Sequence, residues 1–194
     1  MNAITFSLKP FVDRVSDRHL EQLCQENPDA RLETNAEGKL IIMPPMGSLT
    51  GEKNSDLNYQ IQVWNHQYKL GKVFDSSAGF KLANGAVRSP DASWIELKRW
   101  NSLTKKQKQK FAPIDPDFVI ELASPSDDLT TLRQKMEEYL SCGVKLGWLI
   151  IPNIKKVEIY RQGRAKEVLS NPQTLSGEDV LHNLSITLEN IFDD

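Results

Sequence analysis

The sequence has few cysteines and histidines and lacks any long hydrophobic run. Cys24 and Cys142 are the only two cysteines in 194 residues and form no CxxC pair, which excludes a disulfide framework and a cysteine zinc site and is typical of a reducing compartment. No segment approaches the roughly 20 apolar residues of a membrane helix, and the N-terminal MNAITFSLKP lacks the basic and apolar regions of a secretory signal. We therefore expect a cytoplasmic protein without a membrane partner.

The chain also lacks an excess of either charge. It has 24 lysines and arginines against 26 acidic residues, a net charge of −2. This near-balance disfavours a protein that coats nucleic acid through bulk charge, but it leaves room for a local basic patch. The length predicts a single domain over residues 1–194.

The hydrophobic patterns alternate between strand and helix. Residues 30–45 predict a hairpin around 35–38, and Leu57, Ile61, Trp64 and Tyr68 form one stripe of a long helix over 50–70. Further strands are predicted at 72–75, 79–82 and 86–96. Two apolar runs follow, 117–123 and 145–152, which are typical of strands buried on both faces, and a helix starting at 126–128 and ending at Leu140 separates them. This order predicts an α/β fold with one mixed β-sheet flanked by helices.

Two carboxylates lie where a purely structural core would not place them. Asp91 follows Pro90 at the start of a strand, and Glu121 lies inside the most hydrophobic strand. Because side chains alternate along a strand, Glu121 shares a face with Val119 and Ala123 and is expected to be desolvated. A buried carboxylate needs a cation, a metal or a proton. On this observation alone a structural ion pair and a functional site are equally open.

Lys135 is the cation that the helix after Glu121 can supply. Leu129, Leu132, Met136, Tyr139 and Leu140 form the buried stripe of that helix. Lys135 lies on the flank of the stripe, so its stem can be buried while its ammonium points toward the end of the strand.

These residues resemble the active-site signature of the PD-(D/E)XK nuclease superfamily. Pro90-Asp91 is followed thirty positions later by Glu121-Leu122-Ala123. The segments GFKLANGAVRSPDASWIE, PDFVIELASPSDDLTTLRQKMEEY and GVKLGWLIIP are more closely similar to the Uma family of restriction endonucleases. The resemblance implies a restriction-endonuclease-like mixed sheet and a nuclease core over about 50–161.

The resemblance also implies a site and a cofactor. Asp91, Glu121 and the main-chain carbonyl of Leu122 would hold Mg²⁺, or Mn²⁺, which prefer oxygen ligands. The superfamily's usual lysine lies two positions after the glutamate, where this chain has Ala123. Lys135 is the expected replacement, so the predicted catalytic residues are Asp91, Glu121 and Lys135. Glu52, an acid on the long helix, projects away from the helix stripe and is left out of the site.

The predicted function is metal-dependent endonucleolytic hydrolysis of DNA phosphodiester bonds. The alternative is a catalytically weak or inactive nuclease-fold module that binds DNA or a protein partner, which Ala123 and the slightly acidic net charge favour. By analogy with restriction enzymes, a homodimer is the expected assembly. A basic cluster is interpreted as a solvated helix face, with contacts to the DNA backbone as the alternative. Its members are Lys98, Arg99, Lys105, Lys106, Lys108 and Lys110.

Overall fold

A computed structural model describes residues 3–9 and 11–193. In it the chain folds into strands and helices that largely alternate. The strands are β1 (Ile4–Phe6), β2 (Arg31–Thr34), β3 (Leu40–Met43), β4 (Gly71–Asp75), β5 (Phe80–Lys81), β6 (Val87–Arg88), β7 (Ala92–Glu96), β8 (Phe118–Leu122), β9 (Leu146–Ile151), β10 (Lys156–Arg161), β11 (Glu167–Ser170), β12 (Thr174–Ser176) and β13 (Ser185–Thr187). The helices are α1 (Asp17–Glu26), α2 (Ser48–Tyr68), α3 (Leu97–Asn101), α4 (Lys105–Lys108), α5 (Leu129–Ser141) and α6 (Glu189–Phe192), and a 3₁₀ turn covers Pro152–Ile154.

The larger sheet is mixed, as the sequence predicts. Its six strands lie in the order β11-β10-β9-β8-β7-β4, and β8 runs parallel to β9 while β7 is antiparallel to β8. Every residue of β8 and β9 is buried, which explains why both strands are nearly continuous apolar runs.

Helices cover both faces of this sheet. The sheet separates the core side chains that pack with α2 from those that pack with α5. From β8, Phe118, Ile120 and Leu122 pack with the stripe of α2, whereas Val119 and Ala123 pack with α5. Glu121 alternates with the second set and therefore faces α5. Within the predicted α2 stripe, Tyr68 is the exception: it is the last residue of the helix and is exposed.

A second sheet, which the sequence does not predict, lies beside the first. Its five strands have the order β1-β3-β2-β6-β5, and it includes the predicted hairpin, in which β2 pairs with β3. The predicted single strand over 86–96 is wrong, because the structure divides it into β6 and β7 in different sheets. The break falls at Ser89-Pro90, where proline lacks a donor N–H and restricts the preceding residue.

The helix α5 begins and ends as its sequence indicates. The side chain of Asp128 accepts hydrogen bonds from the backbone N–H groups of Thr130 and Thr131, which stabilises the first turn. Gly143 has φ +108° just after the helix, a conformation that other residues rarely adopt. These signals fix the register of α5 and hence the direction in which Lys135 points.

Candidate active site

Asp91 and Glu121 are brought together by the pairing of β7 with β8. Ala92 pairs with Ile120, so the next positions along this antiparallel ladder, Asp91 and Glu121, lie opposite each other. Both are buried. Asp91 Oδ2 accepts a hydrogen bond of 2.9 Å from the N–H of Leu122, which anchors the aspartate to the end of β8.

Lys135 reaches Glu121 from the overlying helix. Its Nζ lies 3.0 Å from Glu121 Oε1, and the hydroxyl of Tyr139 donates to the same oxygen at 2.8 Å. Lys135 and Tyr139 are four positions apart in α5 and therefore lie on one face of the helix. The structure thus brings together all three side chains that the sequence analysis selects as catalytic candidates.

A further carboxylate, Glu33, belongs to the same cluster and is not found by the sequence analysis. Its Oε1 lies 3.1 Å from Lys135 Nζ and accepts from the Ser89 N–H at 2.9 Å. Its Oε2 lies 3.0 Å from Arg88 Nη1. Glu33 lies in the four-residue strand RLET. It points to the same side of the strand as Arg31, and two charged residues on one side are typical of a face in contact with solvent. Only the packing of the second sheet on α5 reveals that this face is buried.

Burial and charge both shift the ionisation of this cluster. Burial, together with the negative charges of Asp91 and Glu33, raises the pKa of Glu121 to about 7 despite the attraction of Lys135. Burial also raises the pKa of Asp91. Burial disfavours the ammonium of Lys135, yet Glu121 and Glu33 outweigh this effect and raise its pKa. Lys135 therefore stays charged, while burial disfavours the ionised forms of Asp91 and Glu121.

A cavity of about 360 Å³ opens onto the cluster. Asp91, Glu121 and Lys135 line its floor, and Leu122 lies beside them. Arg31 forms part of the wall, with Nη2 3.9 Å from Asp91 Oδ1 and Nε buried without a hydrogen-bond partner among the described residues.

The structure also shows where Glu52 and the basic cluster lie, which the sequence analysis does not include in the site. Glu52 is exposed on α2, in agreement with its omission. In the basic cluster, Lys110 pairs with Glu21 at 2.5 Å, and Lys108 lies over the ring of Trp100 at 5.4 Å from its centroid. Two of its lysines are thus already engaged within the protein.

Two features are absent from the described residues: a metal site built from three or more side chains, and a helix that could span a membrane. No group of three or more His, Cys, Asp or Glu residues there could hold a metal ion unaided. None of the helices that these residues form combines the length and hydropathy needed to span a membrane.

Comparison with solved structures identifies the class of fold. The chain is similar to the crystal structure of "a putative nuclease belonging to DUF820" from Anabaena variabilis ATCC 29413, with a TM-score of 0.70 and 22% sequence identity. The alignment covers 83% of this chain and 89% of that one. The mixed α/β architecture is therefore that of a restriction-endonuclease-like nuclease fold.

The family follows from the sequence. The family model Uma2, described as "Putative restriction endonuclease", matches residues 17–189. The chain belongs to this family, which confirms the resemblance noted from its motifs. No curated protein matches the chain at a significant level.

Proposed function

We propose that this protein is a metal-dependent endonuclease that hydrolyses DNA phosphodiester bonds, with the PD-(D/E)XK site built from Asp91, Glu121 and Lys135. The observation that carries the proposal is the meeting of two buried acids and one buried amine at the floor of an open cavity. Family membership supports a nuclease, and the site chemistry favours a divalent ion as its cofactor.

The donor set suits Mg²⁺ better than it suits zinc. Asp91 and Glu121 offer only oxygen, and the contacts of Glu121 with Tyr139 and Lys135 both fall on Oε1. Mg²⁺ binds through one or two carboxylates together with water and substrate phosphate, so a site without a third acidic ligand is adequate. The carbonyl of Leu122 is the proposed third protein ligand. Burial raises the pKa of both acids, and the neighbouring acids add to this effect at Glu121. A bound cation would favour the ionised form of each acid.

The residues of the chain have separate roles in this proposal. A bound Mg²⁺ polarises the scissile phosphate and lowers the pKa of a bound water. Asp91 and Glu121 hold the ion, with Asp91 fixed by the Leu122 N–H. Lys135, charged and buried, orients the attacking water or offsets the charge that develops on the phosphate.

Arg31 is the proposed contact to a substrate phosphate. Its guanidinium lines the cavity beside Asp91. In the part of the chain that the structure describes, Nη2 contacts Asp91 Oδ1 at 3.9 Å and makes a weak 3.4 Å bond to the carbonyl of Ser76. A planar cation with donors to spare matches phosphate geometry. It also offsets the repulsion between the acids of the site and an anionic substrate.

The experiment is a cleavage assay on supercoiled and linear DNA with Mg²⁺, Mn²⁺ or EDTA. We expect cleavage by the wild type with either ion, none with EDTA, and far slower cleavage by Asp91→Ala and by Lys135→Ala. Cleavage by both variants at the wild-type rate would show that a contaminant or another site is responsible. DNA binding without cleavage would favour the alternative, a nuclease-fold module that binds DNA. A cytoplasmic location and a homodimer stay predictions from the sequence.

A further inference from the structure

We propose that Glu33, from the second sheet, is the positioning residue that holds Lys135 at the cavity floor. The inference rests on the proposed function, because it concerns the amine of that site. It adds β2 to the elements that build the centre, whereas Asp91 directly precedes β7, and Glu121 and Lys135 lie in β8 and α5.

Lys135 lies between two carboxylates from different sheets. Its Nζ is 3.1 Å from Glu33 Oε1 and 3.0 Å from Glu121 Oε1. The side chains of Glu33 and Lys135 are 2% and 8% exposed. Water therefore offers the ammonium little competition, and the two carboxylates fix where it lies.

Glu33 is itself held from several sides. The Ser89 N–H binds Oε1 at 2.9 Å, and Arg88 binds Oε2 at 3.0 Å. Arg88 in turn donates to Glu138 of α5 at 2.6 Å. Lys135 and Arg88 together hold the pKa of Glu33 below its usual range even though it is buried. A carboxylate that stays ionised and cannot rotate is a rigid anchor for an ammonium.

A divalent ion gives the two carboxylates different tasks. In the proposed mechanism Glu121 would share its charge with the ion, and the positive charge of that ion would disfavour the neighbouring ammonium. Lys135 would then depend on Glu33, whose other partners, Arg88 and the Ser89 N–H, are not among the proposed metal ligands. Without Glu33, the ammonium has only Glu121 to bind and competes with the ion for it.

The chain offers a matched control for this role. Glu158, which is 3% exposed, pairs with Arg133 of α5 at 2.7 Å. Glu33→Gln and Glu158→Gln each remove one buried carboxylate that pairs with a cation of the same helix. Glu158 makes no described contact with Lys135.

The first test needs neither metal nor activity. The protein is treated with an amine-acylating reagent, and the acylation rates of Lys135 and of buried Lys53 are followed by peptide mass spectrometry. In Glu33→Gln we expect Lys135 to react about tenfold faster as local opening exposes it, with Lys53 unchanged, and in Glu158→Gln neither rate to change. Protection of Lys135 that survives Glu33→Gln, or an equal increase at Lys53, would overturn the proposal.

The second test is a double-mutant cycle on cleavage. We expect Glu33→Gln to lower kcat by about 10- to 100-fold, the usual cost of losing a supporting contact, with little change in KM. In a Lys135→Ala background it should lower the residual kcat no further. Independent losses that multiply would contradict action through Lys135. If the wild type cleaves no DNA, the nuclease proposal fails, while the acylation result still decides whether Glu33 anchors Lys135.

Discussion

Tyr139 and Lys135 both bind the same oxygen of Glu121, at 2.8 Å and 3.0 Å. Because both donors engage Oε1, neither of them occupies Oε2. One carboxylate is thus fixed by its helix on one side and left available to a ligand on the other. This division would let a buried glutamate be held rigidly and still bind the proposed ion.

Replacing Tyr139 tests the fixed side of Glu121. We expect Tyr139→Phe to reduce the free energy of unfolding by about 1 kcal/mol, because it removes one buried hydrogen bond to a charged group and leaves the ring in place. Urea unfolding at pH 8 measures the difference. Stability equal to that of the wild type would show that the bond contributes nothing.

Relative to the wild type, Glu121→Gln should gain stability as the pH rises. The folded pKa of about 7 exceeds the ordinary value of 4.5, so between these values the folded state binds the proton more tightly than the unfolded state. The stability of the wild type therefore falls as pH rises through this range. Glu121→Gln lacks this titration, so its advantage should grow from pH 5 to pH 8 by on the order of 1–3 kcal/mol.

Glu158→Gln is the control for that pH series. Arg133, Lys166 and Tyr160 outweigh the effect of burial and lower the pKa of Glu158 to about 2. Since Glu158 is ionised in both states above pH 5, its replacement should destabilise the protein by a constant amount across the series. Urea unfolding at each pH gives both curves. An advantage of Glu121→Gln that does not vary with pH would contradict the raised pKa.

The proposed phosphate contact predicts a binding defect at Arg31. We expect Arg31→Gln to weaken DNA binding about tenfold, the cost of one good charge-assisted contact. Arg31→Lys should recover part of the loss, because lysine keeps the charge but not the fork. Fluorescence anisotropy with Ca²⁺ and labelled duplex measures the affinity. Arg164→Gln, at an exposed position, is the control, and an equal loss in both variants would remove the special role of Arg31.

Removing the lysines of the basic cluster should change the salt dependence of DNA binding little. Two of its lysines are engaged with Glu21 and Trp100. If the cluster is a solvated helix face, its lysines make no contact with DNA phosphates. Replacing Lys105, Lys106, Lys108 and Lys110 with glutamine should leave the slope of log K against log salt unchanged. A flatter slope would instead establish contacts to the DNA backbone.

The sequence predicts those parts of the site that arise from local periodicity. Glu121 is evident because a charge interrupts a buried strand, and Lys135 because α5 has a clear apolar stripe and Asp128 caps its start. Glu33 is not evident, since its burial depends on a second sheet folding over α5. The division of residues 86–96 between sheets has a local signal in Pro90, but that the two halves join different sheets depends on tertiary packing.

The most direct test of the central claim is anomalous diffraction from crystals soaked in MnCl₂. The account predicts a manganese peak in contact with carboxylate oxygens of both Asp91 and Glu121 in the wild type, and its loss in Asp91→Asn. A peak bound elsewhere, or an equal peak in Asp91→Asn, would contradict the claim that these two acids hold the ion.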